Sequence, residues 1–395
     1  VNPQQTTADR EHLRRALELA ERGRGRVSPN PLVGAVLVRH GEVIGEGWHA
    51  ELGDLHAERA ALADCERRGE DPAGATMHLT LEPCAHQGRQ PPCVEALIEA
   101  KVARVVIASD DPSEKTAGRG PQILREAGVE VDFAEDDQAT AARLLNQPFR
   151  KHSLTGLPFV TLKLAMSLDG QTATAPGDSP WISGPESRAL VHRWRAESDA
   201  IAVGIGTVLA DDPLLTARLE QTASAPGSGP RQPLRIVFDS HARLPVTSQL
   251  LQTLDQAPVL VITASDADPA RTDGLRAAGA EIVVASGDTP AERIKSALEY
   301  LGGREVTSLF LEGGRSLATA FAEAGQIDEA RTFVAPVLLG EVTRAGGAGA
   351  GGVEDAPARS APPAPGSGPA RLTPLSSTVE QIGADGLISA RYEEY

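Results

Sequence analysis

His56, Ala57 and Glu58 form an H-A-E triplet, and Pro83-Cys84 follows it with a second thiol, Cys93, separated from the first by eight residues. The set supplies three soft or borderline metal donors, His56, Cys84 and Cys93, and one carboxylate, Glu58, that is not needed as a ligand. Three protein ligands leave the fourth corner of a Zn²⁺ tetrahedron open for water, the arrangement of a catalytic rather than a structural zinc. Bound zinc lowers the pKa of such a water to about 7, and a nearby glutamate can then carry protons. The bland alternative is packing, because a reduced cysteine is most often a small buried hydrophobe. Two of only three cysteines nevertheless fall inside this one constellation. The third, Cys65, reads as packing within a helix. His86, between the two thiols, is the rival ligand.

The bulk of the chain narrows the partners. At 395 residues it is long enough for two or three domains, each with its own core. Three cysteines do not make a disulfide scaffold and fit a reducing compartment. No basic-then-apolar leader and no apolar run of about 18 residues is visible, so a cytoplasmic protein without a membrane anchor is expected. The net charge of -16, from 54 acidic against 38 basic residues, opposes a nucleic-acid partner. Aromatics are scarce and not interleaved with basic residues, so no stacking platform for a single strand is expected. A small phosphorylated substrate needs only a few local cations and stays open.

The elements that must hold the donors alternate between helix and strand. Leu13, Ala16, Leu17 and Ala20 recur at helical spacing after Thr6-Thr7. Val33–Val38 and Val43–Gly45 read as a hairpin around His40-Gly41. A helix over His56–Arg68, a strand through Met77, Leu79 and Leu81, a helix over Val94–Ala100, a strand at Val105–Ala108 and a helix over Gln122–Ala127 follow. This alternation predicts a layered α/β domain over residues 1–150. It puts His56 and Cys93 at helix N-termini, where the dipoles favour thiolate over thiol. A stretch rich in Asp and Ala, Ala134–Arg143, leads to a linker at the domain boundary expected near Lys151–Leu157. A second α/β domain follows over 155–395, with strands expected at Phe159–Met166, Ala200–Gly204, Arg235–Asp239, Pro258–Thr263, Glu281–Val284 and Leu309–Glu312. Helices are expected at Pro185–Ala196, Ala270–Ala278 and Ala291–Leu301. Gln221–Pro230 is short and rich in Ser, Gly, Ala and Pro. In Arg344–Ala370, Ala, Gly and Pro make up 20 of 27 residues, which predicts a loop with little to bury.

The second half offers weaker signals. Glu312-Gly313-Gly314 leads from an apolar run into a helix, and Gly204-x-Gly206-Thr207 does the same. Such turns let backbone N–H groups approach a phosphate, although glycine there can serve backbone freedom alone. Asp211-Asp212-Pro213 could be a metal pair, but a turn with a capping aspartate is the simpler reading. Lys163 lies mid-strand among apolar residues, where an ammonium needs a partner. On residues alone this half is a nucleotide- or phosphate-binding α/β domain.

Several motifs together resemble the bifunctional deaminase–reductase family of riboflavin biosynthesis. In the first half these are P-N-P-L-V-G at Pro29–Gly34, H-A-E, L-E-P-C-A-H-Q-G-R-Q-P-P-C at Leu81–Cys93, and A-G-R-G at Ala117–Gly120. In the second they are L-K-L-A-M-S-L-D-G at Leu162–Gly170, W-I-S at Trp181–Ser183, G-T-V-L-A-D-D-P-L-L-T at Gly206–Thr216, and L-E-G-G-R-S-L at Leu311–Leu317. The H-x-E…P-C pattern is shared with zinc deaminases at large. The eight-residue gap between thiols is characteristic of this family, whereas cytidine and tRNA deaminases use two.

The resemblance implies a cytidine-deaminase-like three-layer α/β/α domain followed by a dihydrofolate-reductase-like α/β domain, with one zinc per chain and NADPH as cofactors. His56, Cys84 and Cys93 would hold zinc, and Glu58 would be the catalytic proton shuttle. Asn30 and His49 would border the pyrimidine pocket. NADPH would meet Ala165, Trp181, Thr207, Asp211, Ser240 and the turn and helix of Gly314, Arg315, Ser316, Leu317, Ala318, Thr319 and Ala320. Substrate would meet Ser179, Arg195, Leu215, Arg218 and Glu312, the two arginines suiting a ribose phosphate. The implied reactions are hydrolytic deamination of a diaminopyrimidinone ribosylamino phosphate and NADPH reduction of its ribosyl group, in a homo-oligomer. Ala50 and Leu55 stand where the family usually shows His and Pro. A nucleoside or tRNA deaminase is opposed by the acidic charge and the thiol gap, and a structural zinc module by the free Glu58. A purely regulatory nucleotide module in the second half would show no NADPH oxidation.

Overall fold

The helix–strand alternation of the sequence becomes two sheets in a computed structural model that describes residues 6–87, 90–113, 117–135, 137–172, 181–219, 231–340 and 372–395. The chain divides into two compact units: Val1–Phe159 with Leu301–Thr307 and Glu394–Tyr395, and Val160–Tyr300 with Ser308–Glu393.

In the first unit, helix α1 (Thr7–Ala20) starts at a capping box in which Thr6 and Asp9 satisfy each other's backbone N–H groups. Strands β1 (Gly34–Arg39) and β2 (Glu42–Trp48) are the expected hairpin. Helix α2 (Ala57–Arg67), β3 (Thr76–Leu79), α3 (Cys93–Glu99), β4 (Arg104–Ile107), α4 (Arg119–Glu126) and β5 (Glu130–Phe133) follow. The sheet order is β2-β1-β3-β4-β5, antiparallel from β2 to β3 and parallel from β3 to β5. Successive strand residues face opposite layers. Leu37, Met77 and Val105 pack with Ala61, Leu97 and Leu124 from α2, α3 and α4. Val36 packs on α1 through Ala16 and Leu19, and Val106 through Leu13. The three-layer α/β/α expectation therefore holds. Two helices, α5 (Asp137–Leu145) and α6 (Gln147–Thr155), occupy the stretch read as an Asp/Ala-rich lead into a linker. Asn146 between them is buried and clasps Leu32, accepting from its N–H at 2.8 Å and donating to its C=O at 2.9 Å.

The second unit is built on nine strands. They are β6 (Phe159–Ser167), β7 (Ala200–Gly204), β8 (Leu234–Phe238), β9 (Val259–Thr263), β10 (Glu281–Val284), β11 (Ser308–Leu311), β12 (Glu329–Ala335), β13 (Ser376–Ile382) and β14 (Asp385–Arg391). Their order is β10-β9-β8-β7-β11-β6-β12-β14-β13. The run from β10 to β11 is parallel, and its strands are near-continuous apolar stretches such as Val-Leu-Val-Ile-Thr in β9, as sheets covered on both faces require. Helices α7 (Pro185–Glu197), α8 (Ile205–Asp211), α9 (Gln249–Gln252), α10 (Pro269–Ala277), α11 (Pro290–Gly303) and α12 (Arg315–Glu323) lie between them in sequence. The β14–β13 pair is antiparallel and polar-faced, so it carries no apolar run to announce it in the sequence. The two segments expected to be loops, Gln221–Pro230 and Arg344–Ala370, lie outside the described residues.

Candidate active sites

Two helix starts and one turn deliver the metal donors. His56 is the N-cap residue of α2, Cys93 is the first residue of α3, and Cys84 leaves the turn after β3. His56 Nδ1 lies 3.6 Å from Cys84 Sγ and 3.4 Å from Cys93 Sγ, and the three donor atoms sit within 4.8 Å of one another. Zinc bond lengths of about 2.0 Å to nitrogen and 2.3 Å to sulfur put the N···S edge of a tetrahedron at about 3.5 Å. Both nitrogen–sulfur distances therefore match a zinc site. The hydrogen bond from Cys93, followed by that of His56, holds the Cys84 thiol pKa below its ordinary range, which favours the deprotonated form a metal ligand needs. Burial, then the Cys84 sulfur, pushes the Glu58 carboxyl up to about 7. Among the described residues no other group of donors could hold a metal. His86 is exposed and outside the cluster, and Cys65 is fully buried with its thiol donating to Glu70 O.

The surroundings of the donors are set by close backbone approach. A Cβ on Gly47 would lie 2.3 Å from Ala61 N and 2.4 Å from Ala57 O, so β2 can press against α2 only because this residue is glycine. A Cβ on Gly120 would lie 2.2 Å from Pro83 O, which explains the A-G-R-G motif: it docks the start of α4 on the turn that delivers Cys84. His49 is buried, and its Nδ1 meets Leu55 O at 3.1 Å. A carbonyl can only accept, so Nδ1 carries the proton and Nε2 accepts from Asn30 Nδ2 at 3.1 Å. Burial keeps this ring neutral by lowering its pKa. Asn30 and His49 are thus brought together beside His56, whose ring is 5.4 Å from that of His49.

In the second unit, the expected cofactor residues gather at strand ends. Ser240 follows β8, Thr207 and Asp211 lie in α8 after β7, and Gly314–Ala320 follow β11. These are the carboxyl ends of three adjacent parallel strands, the place where open α/β sheets bind ligands. Both α8 and α12 begin at a glycine, Gly204 and Gly314, with no side-chain cap, which leaves helix N-terminal N–H groups for phosphate. That cradle fits a dinucleotide such as NADPH. Ala165 lies on β6, and Trp181 is exposed with the Arg188 guanidinium 5.2 Å from its ring centre. Asp212 accepts from Gln249 N at 2.9 Å in a left-handed turn, so the Asp-Asp pair is a turn device. Ser179 lies outside the described residues.

The expected substrate residues meet on one charged cluster. Arg195 on α7 forks onto Glu312 through Nε–Oε1 at 2.6 Å and Nη2–Oε2 at 2.9 Å, and donates Nη1 to Thr216 O at 3.2 Å. Arg218 donates to Thr216 Oγ1 at 3.2 Å, and Leu215 is buried at the base of the same loop. Burial would raise the Glu312 pKa, but Arg195 and then Lys163 bring it below the ordinary range. Burial lowers the Lys163 pKa, with Glu312 acting against it. Glu312 is thus the opposite charge that acts on Lys163 in its mid-strand position. Sequence reasoning missed His192: its Nδ1 accepts from Arg218 N at 3.3 Å, and burial, Arg195 and Arg218 push it down to about 4. Its spacing of three residues before Arg195 on one helix was the available signal.

Fold and donor set together define a zinc deaminase domain joined to a reductase domain. The model for the cytidine and deoxycytidylate deaminase zinc-binding region matches residues 6–109, and the model for the RibD C-terminal domain matches 158–358. The riboflavin biosynthesis protein RibD of Escherichia coli K12 is 41% identical over 345 residues, covering 85% of this chain and 90% of that one. RibD of Actinobacillus pleuropneumoniae is 40% identical, covering 86% of each. An Acinetobacter baumannii RibD structure superposes with a TM-score of 0.79 at 35% identity, over 98% of this chain and 99% of that one. A Thermotoga maritima diaminohydroxyphosphoribosylaminopyrimidine deaminase/5-amino-6-(5-phosphoribosylamino)uracil reductase gives 0.77 at 32% identity with the same coverage. The chain belongs to the RibD family. No helix among the described residues is long and apolar enough to cross a membrane.

Proposed function

We propose that His56, Cys84 and Cys93 hold the zinc and Glu58 moves the protons of a deaminase carried by residues 1–150, and that residues 155–395 carry the reductase. As a RibD protein the chain deaminates 2,5-diamino-6-(5-phosphoribosylamino)pyrimidin-4-one and reduces the product to 5-amino-6-(5-phosphoribitylamino)uracil. Zinc supplies a Lewis acid that makes water nucleophilic near neutral pH. Glu58 is buried and pushed up to about 7, so it can take a proton and return it to the ring nitrogen and the departing amine. Asn30 and neutral His49 supply oriented polar groups beside it. The observation that carries this reading is the convergence of three donors at tetrahedral spacing with a buried, unligated carboxylate two residues from the first.

NADPH supplies the hydride for the second reaction. The uncapped starts of α8 and α12 would receive its phosphates, with Ala165, Trp181, Thr207, Asp211 and Ser240 around it. Arg195, Arg218, Leu215 and Glu312, with Ser179, would hold the substrate; Lys163, Arg195 and Arg218 outnumber Glu312, which suits a phosphate dianion. The protein acts in the cytoplasm as a homo-oligomer, consistent with Leu375 and Val379, 65% and 75% exposed beside and on the sheet's outermost strand β13. Mass spectrometry of products from the diaminopyrimidine, with and without NADPH, tests the whole: the deaminated intermediate should accumulate without NADPH and the ribitylamino compound appear with it. Unchanged substrate in both would overturn the reading. A monomer mass by light scattering would overturn the oligomer.

A further inference from the structure

Arg235 is a charge in an unusual place. It is the second residue of β8, between Ile201 of β7 and Val259 of β9, with no solvent exposure and no ion pair among the described residues. A buried guanidinium outside ion-pair distance of any carboxylate, with Asp255 of the α9–β9 turn acting on it only at longer range, is costly unless its N–H groups are satisfied. Its hydrogen bonds show what the charge does there. Nη1 donates to Thr253 Oγ1 at 2.8 Å and Nη2 to Thr253 O at 2.9 Å, and Nη2 also donates to Ala257 O. These acceptors belong to the turn between α9 and β9. The remaining bond, Nη1 to Leu214 O at 3.1 Å, reaches the loop that follows α8.

That loop is held in a conformation the chain does not choose by itself. Leu215, the next residue, has φ of +54°, a region a branched apolar side chain seldom occupies. Thr216 then presents its carbonyl to Arg195 and its hydroxyl to Arg218. A planar fork with several fixed donors can bind two chain segments at once, whereas an ammonium is a single point. We propose that Arg235 is a positioning residue of the reductase: it ties the Leu214 carbonyl to the α9–β9 turn and so fixes the left-handed turn at Leu215 from which Thr216 orients Arg195 and Arg218. This rests on the assignment of Arg195 and Arg218 to the substrate site.

The test is Arg235→Met in the full chain, with Arg218→Ala measured beside it. Arg235→Met leaves the Leu214, Thr253 and Ala257 carbonyls without this donor and should lower the melting temperature, while keeping the deaminase rate and raising the reductase KM for the deaminated substrate about tenfold with a smaller change in kcat. Arg235→Lys should recover part of that KM. Hydrogen exchange should quicken at 214–218 and not in β7 or β9; this readout also serves for Arg235→Lys if the methionine variant does not fold. A parent KM with parent exchange in folded Arg235→Met, while Arg218→Ala raises KM, would show that Arg235 merely packs and overturn the proposal. A parent KM in Arg218→Ala would instead overturn the substrate-site assignment on which it stands.

Discussion

The two sites are built on opposite plans. In the first unit the proposed working groups are mostly rare side chains within a short stretch, His56 to Cys93, and each is delivered by the start of a helix or the end of a strand next to it. In the second, the groups lie on β6, α7, the loop after α8, and the end of β11, from Lys163 to Glu312, and none is chemically rare. A metal site demands residue identity; a phosphate site can be met by backbone N–H groups and by any well-placed cation. The first plan concentrates function in few atoms, the second spreads it over a frame. Mutations should therefore act sharply in the first unit and by degrees in the second.

The largest effect should come from Glu58. Glu58→Gln keeps the donors and should keep zinc, but loses proton transfer and at least about 10²-fold in deamination. Reduction of the deaminated intermediate, supplied directly, should be unchanged. Cys84→Ser should lose zinc by elemental analysis while Cys65→Ser retains it, since Cys65 only packs. Zinc retained in Cys84→Ser would break the comparison at its root.

Next comes Arg195. Its pairing with Glu312 is mostly buried, the side chains being 12% and 10% exposed. Breaking such a pair by removing one partner costs about 3–5 kcal/mol, because the other charge is left without compensation. Arg195→Ala should lower the melting temperature of the second unit by about 10 °C, at 2–4 °C per kcal/mol for a unit of this size. It should also raise the reductase KM by more than about tenfold, the equivalent of 1.4 kcal/mol, and leave deamination alone. Arg218→Ala, at an exposed position, should raise KM with little change in stability. The pH dependence has a definite sign. Glu312 is held below the ordinary carboxylate pKa of about 4.3, so the pair stabilises fully above that value and the contribution disappears as pH falls below it. The parent should lose stability on acidification in this window, and Arg195→Ala should not show that loss; equal acid profiles would remove Arg195 from the account.

The same contrast governs what the sequence could reveal. Periodicity placed β1, β2, α2, α3, α7 and the parallel strands β7 to β11, because each buries an apolar stripe or run. It missed β13 and β14, which show no such pattern, and it read α5 and α6 as a lead into a linker. The zinc donors and Glu58 were legible from identity and spacing alone. Arg195, Arg218 and most of the NADPH residues entered only through resemblance, since their meaning lies in which strand ends become neighbours; Thr207 and Gly314 were legible on their own only as parts of glycine turns that could approach a phosphate. Arg235 gave no signal and His192 only a faint one, its spacing of three residues before Arg195: a histidine and an arginine become informative only once their hydrogen-bond partners are known.

A glycine offers a finer test of the first plan. Gly47→Ala forces a methyl to within 2.4 Å of the α2 backbone at Ala57 and Ala61. Overpacking of this kind costs about 1–3 kcal/mol. Because α2 carries Glu58 at its first turn, a shift of well under 1 Å should also slow deamination about tenfold, with zinc retained. Lower stability with a parent deaminase rate would show that α2 yields without moving the carboxylate.

The smallest effect is expected from the Gly/Ala/Pro tract, which lies outside the described residues between β12 and β13. Deleting Gly346–Gly368 removes little apolar surface, so no contact energy of consequence should be lost. It also shortens the connection from Ala335 to Ser376 by more than half. Halving the length of a chain connection lowers the entropic cost of closing it by about 0.6 kcal/mol, which favours the folded state. The expected outcome is therefore a slight rise in melting temperature, about 2 °C, with both activities near the parent's. The sign is what makes the measurement useful. A tract that folds over the reductase site would give the opposite, a lower melting temperature together with a raised KM for the deaminated substrate, and the second site would then extend into a segment whose composition gives no hint of it.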